Sequence, residues 1–194
     1  MIYMIGGAPR VGKSILGQQV SAQLKAGWVS TDLLMQVLRV KNDEGIKTAW
    51  NAAPEAVTVN AEWFFPYLER FIWGVSSMAE SNVIEGVDFL PAQVSQLSKK
   101  YQVRSVFLGY SEMTLESFNQ FPGRSPGYAF LPEKMKCQIV HDVPLWSEFI
   151  RQEAKRFGYP YVDMTGDFSS RLQEAEAMLT ANDIQADHNR NIPA

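Results

Sequence analysis

The segment Gly7-Ala8-Pro9-Arg10-Val11-Gly12-Lys13-Ser14 narrows the folds open to this chain more than any other stretch. It satisfies the pattern G-x-x-x-x-G-K-[ST] without a gap. Met1 to Ile5, just before it, is apolar throughout, as a central parallel strand must be when both of its faces are covered. From Gly12 onward, Ile15, Leu16, Val20 and Leu24 recur at helical spacing. A glycine loop that joins a strand to a helix N-terminus offers unsatisfied N–H groups and the positive end of the helix dipole, which together attract a polyphosphate. Residues Gly7 to Ile15 are therefore expected to wrap a nucleotide. In that arrangement Lys13 reaches the outer phosphates and the Ser14 hydroxyl joins the shell of a Mg²⁺ ion. Arg10 occupies one of the pattern's open positions, and the sequence leaves it either at the ligand or exposed.

Composition sets the limits around this loop. With 194 residues the chain is long enough for one well-buried core, and residues 1–194 read as a single domain. Hydrophobic and charged fractions of 46% and 20% are those of an ordinary globular protein. A net charge of −3 carries no basic footprint, so nucleic acid is not expected as a partner. The single cysteine, Cys137, excludes an internal disulfide framework and a cysteine-based metal site. It reads as a buried or idle thiol and suits a reducing cytoplasm. No apolar run approaches the length of a membrane span and no export signal is recognisable, so neither a membrane nor secretion is expected.

Along the chain, Gly27–Ser30 reads as a second strand that ends at Thr31-Asp32, and Leu33, Leu34, Val37 and Leu38 suggest a helix after it. Asn42 to Val59 shows no clean period. Asn60 to Glu80 carries a helical apolar stripe, with Pro66 in its first turn or kinking it. The aromatic residues Trp63, Phe64, Phe65, Tyr67, Phe71 and Trp73 in this segment suit core packing or a homodimer face better than a binding box. Asn82–Gly86, Val103–Gly109 and Tyr159–Met164 read as strands. Pro91–Lys100, Glu133–Phe157 and Phe168–Thr180 read as helices, the last with Asp167 as its N-cap. Residues 110–134 hold two glycine–proline turns around Arg124, a composition that suits a lid carrying an arginine to a phosphate. A solvated surface arginine is the other reading. The polar tail at 182–194 is expected to fray. Strands alternating with helices imply a parallel sheet with ligands at the carboxyl ends of its strands.

Acidic residues just past strand ends are where such a sheet presents chemistry. Asp32 follows the second strand, Glu85 ends the third, and Asp88 lies two residues beyond Gly86. Asp32 is placed to accept or orient the proton of an acceptor hydroxyl, or to cap the helix that follows, or both. Glu85 is placed to hold a metal-bound water. Asp88 is a further candidate at the same rim, and Arg39, one helical stretch after Asp32, reaches toward an acceptor. Arg151 and Arg156 read as exposed, and His141 and His188 have no ligand-like spacing.

With these segments in view, the chain resembles the small P-loop kinases, the group of adenylate kinase and related small-molecule kinases. The stretches "GGAPRVGKS", "STDLLMQVLR" and "IEGVDFLP" are most similar to 2-phosphoglycerate kinase and its relatives. The resemblance rests on Ser30-Thr31-Asp32, on Ile84-Glu85-Gly86-Val87, and on Arg39 as the second of the helix arginines. It implies an α/β P-loop NTPase fold with a five-stranded parallel sheet in the order 2-3-1-4-5, ATP with Mg²⁺, and transfer of the γ-phosphate to a small-molecule acceptor. It also implies that Asp163–Phe168, including Thr165, lies beside the adenine. The chain departs from the family at Met35, which stands in place of the first helix arginine, and at Asp88, in place of a histidine. Ile15 likewise replaces a second hydroxyl after the Lys-Ser pair. The expectation is thus a small-molecule kinase with Lys13, Asp32 and Arg124 catalytic, Arg39 and Asp88 at the acceptor, and Ser14 and Glu85 at the metal. The alternative is an ATP-binding regulatory module, or an NTPase without small-molecule transfer. A GTPase switch is disfavoured, because Asp163–Gly166 comes too late for its D-x-x-G and no N-K-x-D follows.

Overall fold

The computed structural model of the chain describes residues 1–40, 54–120 and 130–181. Its elements follow in the order β1 (Ile2–Gly7), α1 (Lys13–Leu24), β2 (Gly27–Ser30), α2 (Thr31–Arg39), α3 (Pro54–Ser77), β3 (Asn82–Glu85), α4 (Pro91–Leu97), β4 (Val103–Gly109), α5 (Leu115–Gln120), α6 (Glu133–Phe157), β5 (Tyr161–Asp163) and α7 (Phe168–Thr180). The five strands form one sheet in the order β2-β3-β1-β4-β5, and every pairing is parallel. This is the α/β fold and strand order expected from the sequence.

The central position of β1 explains its composition. All six of its residues are buried, which requires cover on both faces and forbids a polar alternation. On α1, Leu16, Gly17 and Val20 are buried, and the helix packs on β1, β2, β3 and α7. Helices α3, α4 and α6 pack on one another. The long α6 contributes Ile139, Val143, Trp146 and Ile150 to the core, a stripe at intervals of three and four residues. It ends at Gly158, which closes the helix in the left-handed conformation.

Several boundaries differ from the sequence expectation. Helix α3 begins at Pro54, six residues before Asn60, so Pro66 lies in its interior and not in its first turn. Pro66 is on the exposed side, where the backbone carbonyl that loses its proline donor can turn to water. Strand β5 is shorter than Tyr159–Met164, and α4 stops before Lys100. Cys137 is exposed, which removes the buried reading of its thiol. Asp167 does cap α7, accepting the Ser170 N–H at 2.8 Å. Of the segment expected as a lid, 115–120 is helical and 133–134 opens α6; Arg124 lies outside the described residues. So do most of the stretch 42–59 and the tail 182–194. Among the described residues no helix is long and apolar enough to cross a membrane.

The aromatic stretch of α3 divides by helical phase. Val57, Ala61, Phe64, Leu68 and Ile72 are buried at intervals of three and four residues. Trp73 is half exposed with the Arg70 guanidinium 4.0 Å above its ring, and Tyr67, also exposed, lies 5.0 Å from Trp63. Phe64→Ala should therefore lower unfolding stability by about 3–5 kcal/mol in a urea titration. Trp73→Ala should cost about 1 kcal/mol or less. Equal losses at the two positions would mean that this face is covered by something further.

Candidate active site

The parallel register assembles one rim from three strand ends. Ser30 pairs with Glu85 across β2 and β3, and Ile5 pairs with Glu85 across β1 and β3. The loop after β1, the start of α2 and the carboxylate of Glu85 are thus held at one level, as carboxyl ends of parallel strands must be.

The loop meets α1 at Gly12, whose φ of 94° is left-handed and whose hydrogen faces the ring of Phe168. A Cβ there would come within 2.7 Å of that ring, so the position needs glycine both for conformation and for space. Helix α1 has no side-chain cap and no acidic residue in its first turn. The positive end of its dipole is left for an anion. Lys13 is buried and donates from Nζ to the Ala8 carbonyl at 2.6 Å. Burial pulls its pKa below the usual lysine range, against the opposing pull of Glu85, Asp32 and Asp88.

The Ser14 hydroxyl donates to Glu85 Oε1 at 3.1 Å, and Glu85 is buried. One hydroxyl and one carboxylate at a single point form an oxygen donor pair of the kind Mg²⁺ takes when substrate phosphates and water complete its shell. No group of three or more His, Cys, Asp or Glu that could hold a metal occurs among the described residues. The residues present fit the ion.

Asp32 does not cap α2. Ser30 holds the N-cap position in an extended conformation, and Asp32 is an exposed residue of the first turn. The capping explanation for this residue falls away, and its side chain lines the cavity. Asp88 is buried, and its Oδ2 accepts the Thr31 hydroxyl at 2.6 Å. That contact ties the start of α2 to the loop after β3. It depends on Gly86, since a Cβ there would collide with the Thr31 side chain. Burial pushes the Asp88 carboxyl up to about 6, against the lowering effect of the Thr31 hydrogen bond. Nearby Asp32 raises it further, while Lys13 and Arg39 lower it.

Lys13, Ser14, Asp32, Arg39, Glu85 and Asp88 line one cavity of about 940 Å³, together with Pro9, Arg10, Gly12 and Ile15 of the loop. Gly7, Ala8, Val11 and Thr165 do not line it; Ala8 and Val11 are buried beneath the loop. Thr165 is turned toward Asp163, to which its N–H and hydroxyl donate at 3.0 and 2.8 Å, while its neighbours Met164 and Gly166 face the cavity. Arg151 and Arg156 are exposed and paired with Glu148 and Glu153. Several lining residues carry no signal in the sequence. Val57 comes from the segment without a clean period, Asn60 is a polar residue at the start of the helical stripe, and Trp28, Met113 and Phe118 belong to no motif. Thr31 sits inside a noted motif, yet its bond to Asp88 joins residues far apart in the chain.

No family model matches the chain, and no curated protein matches it in sequence. Among solved structures, it is similar to a gluconokinase from Sinorhizobium meliloti, with a TM-score of 0.55 and 15% identity over 98% of this chain and 97% of that one. It is similar as well to a shikimate kinase from Bacteroides thetaiotaomicron, with a TM-score of 0.55 and 13% identity over 93% and 97%. At such identities the likeness is one of fold. The architecture is that of small P-loop kinases, in agreement with the sequence resemblance, although these neighbours are not 2-phosphoglycerate kinases.

The raised Asp88 pKa has a definite sign in stability. Between the unfolded value and about 6, the folded chain holds a proton that the unfolded chain has released, so stability falls as pH rises through that window. Asp88→Asn keeps an oxygen for Thr31 and removes the titration. The stability of this variant relative to the parent should rise by about 2 kcal/mol between pH 4 and pH 7. Paired chemical denaturation curves at the two pH values measure it, and a constant difference would place the ionised carboxylate in a better-solvated site.

Proposed function

We propose that the chain is an ATP-dependent phosphotransferase that moves the γ-phosphate of ATP to a hydroxyl of a small acceptor. The observation that carries this reading is the convergence of a phosphate cradle, a Ser14–Glu85 oxygen pair and an exposed Asp32 carboxylate in one cavity. The names of the two structural neighbours, both small-molecule kinases, support it.

Each residue has a role that follows from its place. The loop and the α1 N-terminus hold the polyphosphate. Lys13 neutralises charge that builds on the β- and γ-phosphates as the bond between them breaks. Ser14 and Glu85 are the residues that would hold Mg²⁺, whose chemistry is to screen the phosphate oxygens. Asp32 orients the acceptor hydroxyl and takes its proton as the oxygen bonds to phosphorus, while ADP leaves with the electron pair of the broken bond. Arg39 and Asp88 lie on the acceptor side. There the buried Met35 and the Asp88 carboxylate replace the cations that a phosphorylated acceptor calls for. The acceptor is accordingly a hydroxyl compound with less negative charge than 2-phosphoglycerate.

The test is turnover of Mg·ATP with a pool of small alcohols, comparing 2-phosphoglycerate with neutral and amino-bearing members. Preference for the phosphorylated acid would reverse the charge argument while leaving the kinase reading intact. Lys13→Ala should lose on the order of a hundredfold or more in turnover while remaining folded. Asp32→Asn should keep its ATP affinity and lose about 10²–10⁴-fold in transfer. Loss of ATP affinity in that variant would assign Asp32 to the metal instead.

A further inference from the structure

Arg10 has a backbone its side chain does not favour. Among the described residues other than glycine, Arg10, Lys25 and Ala79 have positive φ, at 68°, 51° and 59°. Lys25 is the C-cap of α1 and Ala79 lies two residues past the end of α3, and a left-handed residue at a helix end is ordinary because it satisfies the last carbonyls. Arg10 ends no helix. It lies in the middle of the phosphate loop, where glycine would adopt the same conformation without steric opposition. An unfavourable backbone kept at a site is a reason to ask what the side chain does there.

The side chain runs to a definite place. Its guanidinium lies 4.6 Å from the centroid of the Phe118 ring, and Phe118, on α5, is buried. A guanidinium stacked on an aromatic face uses its plane for that contact, and its N–H donors point outward from the edge. Arg10 lines the same cavity as Lys13 and Ser14, on the loop that cradles the phosphates. The other two cationic side chains that line it are Lys13, which donates to the Ala8 carbonyl, and Arg39 on α2. Transfer of a phosphoryl group spreads charge over oxygens that a second, planar donor matches well.

We propose that Arg10 is the cation that contacts the transferring phosphate, and that Phe118 is the positioning residue that fixes its guanidinium. This rests on the phosphotransferase reading above. It assigns the second cation to the loop itself.

The backbone strain makes the test discriminating, because Arg10→Gly removes the side chain and the strain together. Measured on Mg·ATP with the acceptor pool, kcat of Arg10→Gly should fall by about a hundredfold or more. Its affinity for ATPγS and its melting temperature should not fall. Arg10→Lys, with charge but no planar fork, should recover part of the lost rate. Phe118→Leu, which keeps the apolar volume, should lower kcat with KM for ATP unchanged, and should have no further effect on the rate of Arg10→Gly. A purely structural role gives the opposite pattern: Arg10→Gly melts earlier or fails to fold, or keeps its kcat, and any of these overturns the proposal. Lys13→Ala separates the two levels. If Lys13→Ala is inactive while Arg10→Gly keeps its rate, only the assignment of Arg10 fails. Absence of turnover in the unmodified chain, or full turnover in Lys13→Ala, overturns the phosphotransferase reading and this inference with it.

Discussion

Burying the Lys13 ammonium is the constraint on which the rim depends. An ammonium removed from water is unfavourable unless its charge is answered and its donors are used. Here the Ala8 carbonyl takes one donor, and Glu85, Asp32 and Asp88 answer the charge. Those three carboxylates come from the end of β3, the start of α2 and the loop between β3 and α4. They act on one lysine because β1, β2 and β3 run parallel with their carboxyl ends level. The strand register and the charge arrangement therefore support each other, and neither is independent of the apolar composition that places β1 at the centre of the sheet.

Much of this architecture is legible in the sequence because its signals are local. The apolar run of Met1 to Ile5, the glycine loop and the helical spacing of Ile15 to Leu24 lie within one short segment, and each has a single physical reading. What escapes is set by contacts between distant residues. The stripe that begins α3 at Val57 is buried where the helix packs on α4 and α6, and nothing near Pro54 announces a helix start. Asp32 looks like a cap in a Ser-Thr-Asp run that holds three capping residue types in succession. The structure gives the N-cap position to Ser30, without a side-chain hydrogen bond, and turns Asp32 outward. Phe118 carries no mark of its role, since an aromatic residue among turn-forming neighbours has no period to betray what it faces.

The proposed acceptor side of the cavity joins an apolar surface to a carboxyl. Met35 and Asp88 are both buried there, and Arg39 is a neighbouring charge that lowers the Asp88 pKa. Thr31 adds a fixed hydrogen bond to the same group, and Gly86 leaves room for Thr31. The chemical character of this half of the site is thus carried by a cluster spanning two strand ends.

The packing of Gly12 against the ring of Phe168 joins one of the first residues of the chain to the start of its last described helix. Strand β1, which carries the loop, also pairs with β4 on one side and β3 on the other. The loop's shape is therefore settled by residues far along the chain, and it forms together with the sheet and not ahead of it.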